Sequence, residues 1–156
     1  MGGFETDVAI YLTIDGRVFI APQFDIKWEM NEGGTCPDFV ALDFSCMEVV
    51  VVEVTGAADW KPLAARVAER EARWFNRVRE RLLNEKVITV DWGVRFLGFV
   101  RRDAEAKISA RFKNAADVTF HVLEDAIVPW SYWNDRMQNG LPGNRRKMLN
   151  ASAQHV

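Results

Sequence analysis

With 156 residues, 49% of them apolar, and a formal net charge of −2, the chain can bury one substantial core but is short for several domains. The charge balance argues against a strongly cationic, nonspecific nucleic-acid binder, and two cysteines without a Cys/His cluster argue against a disulfide framework or a zinc site. No apolar run reaches the roughly 18 residues of a membrane span, and the start Met1-Gly2-Gly3-Phe4-Glu5 lacks signal-peptide character, so a cytoplasmic protein is expected.

Residues 4–12 fit a helix, yet Val8, Ile10, Leu12 and Ile14 also alternate ahead of Asp15-Gly16, the pattern of a tight hairpin. Residues 17–28 have strand character through Val18, Phe19, Ile20, Phe24 and Ile26, and Pro22 suits an edge position or a bulge. Residues 38–44 and 47–54 are β-branched or aromatic and predict two antiparallel strands joined through Ser45-Cys46. Asp59 and Pro62 mark a helix start, and Trp60, Leu63, Ala64, Val67, Trp74, Val78 and Leu82 form a helical stripe running to about Glu85. Residues 94–100 then predict a strand, 103–113 a helix capped by Asp103, and 118–123 a further strand.

This order of helix, three strands, helix, strand, helix, strand implies an α/β architecture with a mixed central sheet flanked by helices. Residues 1–128 are expected as one domain. Residues 129–156 are expected as an aromatic anchor around Trp130, Tyr132 and Trp133, followed by a loose tail with Arg145-Arg146-Lys147.

The chemistry concentrates in the predicted hairpin. If its loop has two or four residues, Asp38 stands directly opposite Glu53, and their Cβ atoms lie about 4.5–5.5 Å apart on one face. A loop of three residues would send the two acids to opposite faces. Glu53 lies inside the run Val49 to Val54, where an acid is costly to bury without compensation. Two ionised carboxylates in one small volume repel, so such a pair needs a cation or keeps a proton. A hard divalent ion such as Mg²⁺ suits it, because that ion takes one or two carboxylates, keeps several waters and binds phosphate oxygens.

Pro37-Asp38 followed by Glu53-Val54-Thr55 resembles the PD-(D/E)XK nuclease superfamily, with the ordering of elements over residues 4–122 similar as well. Thr55 departs from the pattern, since the family has lysine there. The resemblance implies a restriction-endonuclease-like fold and a metal-dependent nuclease, with DNA as the substrate. It further implies Mg²⁺ or Mn²⁺ held by Asp38 and Glu53, with Glu5 as a third ligand from the first helix and the Val54 carbonyl as a fourth. Lys61, or Lys27 before the hairpin, would replace the missing lysine, and Gln23 would face the site. The rival expectation, favoured by Thr55, is an inactive nuclease-fold module that binds DNA or a protein partner; a homodimer would fit paired cuts in duplex DNA.

Arg66, Arg70, Arg73, Arg77 and Arg81 recur on one side of the long predicted helix and could track a phosphate backbone. The same row is also what a solvated face paired with Glu69, Glu80 and Glu85 looks like. His121, with no nucleophile motif beside it, is expected in the core or at its rim.

Overall fold

Val8, Tyr11 and Leu12 are spaced by three and one and are all buried, so Phe4–Thr13 settles as helix α1 rather than as one arm of a hairpin. In this computed structural model, which describes residues 3–24 and 36–144, the chain then turns at Asp15-Gly16, with Gly16 at φ 73°. That positive angle favours glycine. Strand β1 (Val18–Pro22) follows, then β2 (Phe39–Asp43) and β3 (Glu48–Val54), an antiparallel meander. A helical crossover leads to β4 (Gly93–Val100), parallel to β3, and helix α4 (Arg102–Arg111) leads to β5 (Val118–Val122), parallel to β4.

The strands lie side by side in sequence order as one five-stranded mixed sheet flanked by helices, an α/β fold consistent with a restriction-endonuclease-like arrangement. β1 is an edge strand, as Pro22 demands. β3 is interior, which explains its valine run: Val49 and Val51 face one core with Leu63, Val67, Trp74 and Val78, while Val50 and Val52 face the other with Val8, Tyr11 and Leu12. Among the described residues no helix is long and apolar enough to cross a membrane.

The long crossover helix is interrupted. It comprises α2 (Lys61–Ala68), a π turn (Glu71–Phe75) and α3 (Asn76–Asn84). Trp74 of the π turn lies flat on Phe96 of β4, with ring centroids 5.4 Å apart and planes 9° from parallel. π turns of this kind are frequent at functional sites.

Asp59 does not occupy the N-cap position itself. The N-cap is Trp60, but the Asp59 carboxylate accepts a hydrogen bond from the Lys61 amide at 3.1 Å. At α4 the expected Asp103 cap gives way to Glu124, whose two carboxylate oxygens accept from the Arg102 amide at 3.0 and 3.1 Å. Glu124 belongs to a 3-10 turn, Leu123–Ala126.

Residues Pro129–Asn139, the expected aromatic anchor, form helix α5. Trp130 is 84% exposed and Trp133 is also exposed, leaving Tyr132 as the buried aromatic. The residue that ties α5 down is Arg136. Fully buried, it donates to the Tyr11 and Leu12 carbonyls at 2.9 Å each and pairs with Asp15 at 3.2 Å, satisfying the last turn of α1. The expected strand residues Ile26 and Trp28, the substitute Lys27 and the tail 145–156 lie outside the described residues.

Candidate functional site

Asp43 pairs with Glu48 in the β2–β3 ladder, so residues 44–47 make a four-residue loop that closes on Met47 at φ 56°. The same register pairs Phe39 with Val52 and, one step on, brings Asp38 opposite Glu53. Side-chain alternation sends both to one face. Val40 and Leu42 on β2, and Val49 and Val51 on β3, all contribute to the core under α2 and α3, and Asp38 and Glu53 continue those two rows.

Local contacts fix the pair. The Val54 amide donates to Asp38 Oδ2 at 2.7 Å, which stops the Asp38 carboxyl from turning away. Burial, then a hydrogen bond from the Glu53 carboxyl to Asp38, then the Asp38 charge push the Glu53 carboxyl up to about 9, against the opposing pull of Arg66 and Arg73. Glu53 therefore holds a proton at neutral pH.

One row across the sheet runs through this point. The Gln23 backbone N–H donates to the Asp38 carbonyl at 3.0 Å on one side, with Gln23 itself exposed, and Glu53 pairs with Gly98 and Gly98 with Phe120 on the other. Gly98 is required there: a Cβ would stand 2.7 Å from the Phe120 ring and 2.9 Å from Phe96. These rings wall the apolar side of the site and raise the penalty on a charged Glu53.

The other residues expected at the site fall elsewhere. Glu5 lies on α1, which packs on the opposite face of the sheet from Glu53, so it does not join the pair. Among the described residues no group of three or more His, Cys, Asp and Glu side chains is placed to hold a metal. Val54 contributes its amide to Asp38, whereas its carbonyl was the expected ligand. Lys61 opens α2 with an exposed side chain, and the cations whose charge reaches Glu53 are Arg66 and Arg73. Thr55 Oγ1 accepts from the Ala57 amide at 3.1 Å and so serves the turn after β3.

The arginine row is also redistributed. Arg70 forms a two-pronged pair with Asp117 at 2.6 and 2.9 Å, Arg73 pairs with Glu69 and Arg81 with Glu85, each at 3.2 Å, and Arg77 is partly buried. It is a set of local ties, with the charges of Arg66 and Arg73 also felt by Glu53, not a continuous cationic stripe. His121 is partly buried between Tyr11 and Phe99, with ring centroids 5.2 and 5.7 Å away, and burial lowers its proton affinity.

The carboxyl pair suits a hard dication. Two carboxylates are enough protein donors for Mg²⁺, which otherwise keeps waters and takes phosphate oxygens, and a dication would offset the repulsion by Asp38 that, after burial and the hydrogen bond between them, raises the Glu53 carboxyl. No family model matches this chain, and neither the curated proteins nor the solved structures contain a match to it.

Proposed function

We propose that the Asp38–Glu53 pair is the centre of a divalent-cation-dependent phosphodiester hydrolase acting on DNA in the cytoplasm. The observation that carries this reading is the half-buried acid pair itself, held in register by the β2–β3 ladder with a raised proton affinity at Glu53. Acid pairs shifted by desolvation and by each other concentrate at functional sites. A bound Mg²⁺ or Mn²⁺ would supply Lewis-acid activation of water and of the phosphate.

The chain's own residues do the rest. Asp38, pinned by the Val54 amide, presents a fixed carboxylate oxygen. Glu53 would release its proton to solvent on binding the ion together with Asp38, one of its oxygens then accepting a hydrogen bond from the water to be activated. Arg66 and Arg73, already acting on Glu53, stabilise the negative charge on the scissile phosphate. The row Phe96, Gly98 and Phe120 excludes water from one side, which strengthens each of these interactions.

A second reading, a non-catalytic module that binds DNA or a protein partner, draws on Thr55 and on the lack of a third acid beside the pair among the described residues. Incubating wild type, Asp38→Ala, Glu53→Ala and Lys61→Ala with supercoiled, linear and single-stranded DNA in Mg²⁺ or Mn²⁺ separates the two. Cutting by the wild type and by Lys61→Ala, lost in both acid variants, is the expected result. If no DNA is cut and calorimetry detects no divalent-ion binding, the hydrolase reading falls.

A further inference from the structure

The three parallel strands β3, β4 and β5 end on the same side of the sheet, and open α/β sheets take their ligands just outside the carboxyl ends of such strands. A cavity of about 300 Å³ lies there, lined by Phe4, Gly56, Arg101, Leu123, Glu124 and Ile127. Its walls follow directly on the strands: Gly56 comes after β3, Arg101 after β4, and Leu123 and Glu124 after β5. The volume is at the small end of the range for ligand sites. Gly56 is three residues beyond Glu53, which extended chain spans in at most about 11 Å. The cavity is thus a neighbour of the acid pair, reached around the end of the sheet.

We propose that this cavity receives the base of a nucleotide next to the one being cut, so that the substrate is a single strand or an unpaired end. The inference rests on the hydrolase reading above. The lining selects the occupant. Phe4, Leu123 and Ile127 are apolar, and Phe4 is 45% exposed, which leaves its side chain open to a ligand in the cavity. Gly56 permits this placement, since a Cβ there would stand 3.1 Å from the Phe4 ring.

At the rim Arg101, one of whose guanidinium nitrogens pairs with Asp103 at 3.3 Å, keeps further donors, and Glu124, whose oxygens each accept once from the Arg102 amide, keeps acceptor capacity. A cation and an anion together disfavour a bare phosphate or a carboxylate. They suit a neutral plane whose edge carries both donors and acceptors, with an aromatic face for stacking, which describes a nucleobase. A base still paired in a duplex cannot enter, because its edge is engaged and its faces are stacked.

The test uses single-stranded hexanucleotides carrying 2-aminopurine at each position in turn, mixed with the intact protein in EDTA so that nothing is cut. One position should show a change in emission as the fluorescent base stacks, and a blunt duplex of the same sequence should show none. Phe4→Ala should weaken binding roughly 5- to 150-fold, the range of one base stacked on an aromatic ring, and remove the emission change. Phe4→Tyr should keep both. With an abasic residue at the responsive position, Phe4→Ala should change binding by less than about 2-fold, since the partner of the ring is already missing.

The inference is overturned if no hexanucleotide binds, if Phe4→Ala binds as tightly as wild type, or if it loses as much affinity for the abasic strand as for the intact one. Asp38→Ala should leave the emission change in place. A protein that shows the Phe4-dependent signal and cuts no DNA in Mg²⁺ or Mn²⁺ would refute the hydrolase reading while retaining the base pocket.

Discussion

Replacing Glu53 by glutamine isolates the physical premise of the site, because the amide copies the shape of a protonated carboxyl and still donates to Asp38 but cannot ionise. The Glu53 carboxyl moves from an ordinary 4.5 to about 9 on folding. A group that binds its proton more tightly in the folded state leaves stability intact below pH 4.5 and removes it as pH rises toward 9, at ~1.4 kcal/mol per pH unit. About 3 kcal/mol is then lost by pH 7 and about 6 kcal/mol by pH 9, a large part of the 5–15 kcal/mol typical of a domain. Urea unfolding at pH 5, 7 and 9 measures this, and Glu53→Gln should be roughly 3 kcal/mol more stable than wild type at pH 7, with a flatter pH profile. Adding Mg²⁺ at pH 8 should raise the wild-type midpoint by mass action and leave Glu53→Gln nearly unmoved. If the variant keeps the wild-type pH slope, Glu53 does not hold the proton, and the reasoning about the pair fails.

Three further outcomes follow from the packing. Gly98→Ala forces a methyl group to within 2.7 Å of Phe120 and should cost about 1–3 kcal/mol in urea unfolding, while Ala substitution at the open Gly93 should not show that clash penalty. Arg70→Ala breaks the two-pronged pair with Asp117 and should cost about 1 kcal/mol at pH 7. Because Arg70 holds the Asp117 carboxyl below its ordinary 3.8, that contribution is present above pH 3.8, and the gap between variant and wild type should close as pH falls further. Arg95→Met strands the buried Glu48 beside Asp43 and should cost roughly 3–5 kcal/mol in a urea titration. Adding Glu48→Gln to it should recover a large part of that loss, since the two positions are coupled.

The Asp38–Glu53 juxtaposition was legible in the sequence because strand register follows from loop length and the two-residue side-chain period, both of which are local. The first helix was not decided locally. Val8 to Ile14 alternate as a strand would, and it is the packing of Val8, Tyr11 and Leu12 against the far face of the sheet that selects a helix. That same packing takes Glu5 away from the acids, a consequence of topology that no spacing along the chain encodes. Which arginines meet Glu53 depends on how α2 and the π turn are rotated over β3. The row Arg66 to Arg81 therefore read as one stripe, although the structure divides it between Asp117, Glu69, Glu85 and the acid pair. Helix α5 did leave a sequence signal: Pro129 at its first turn and Gly140 just past its end, at φ 71°, follow the preference for proline at the start and glycine at the finish of a helix. Glu124 as the cap of α4 lies 22 positions from the amide it serves, beyond the reach of any local motif.

Strand β3 carries a glutamate at each end, and the chain treats them differently. Glu48 is buried with Arg95 Nε 3.2 Å away, and the Arg95 side chain is itself anchored to the Pro142 carbonyl at 2.8 Å, so the charge is met by a charge as a structural acid requires. Glu53 faces another acid, and the two arginines that act on it do not prevent its carboxyl from rising to about 9. The same fold thus neutralises one β3 glutamate with a cation of its own and leaves the other to hold a proton. For a purely structural position an arginine opposite Glu53, or a valine in its place, would be the more stable arrangement. That asymmetry along a single strand, with one glutamate matched by a buried arginine and the other facing a second acid that Arg66 and Arg73 offset only in part, is the physical reason for centring the proposed hydrolase on Asp38 and Glu53.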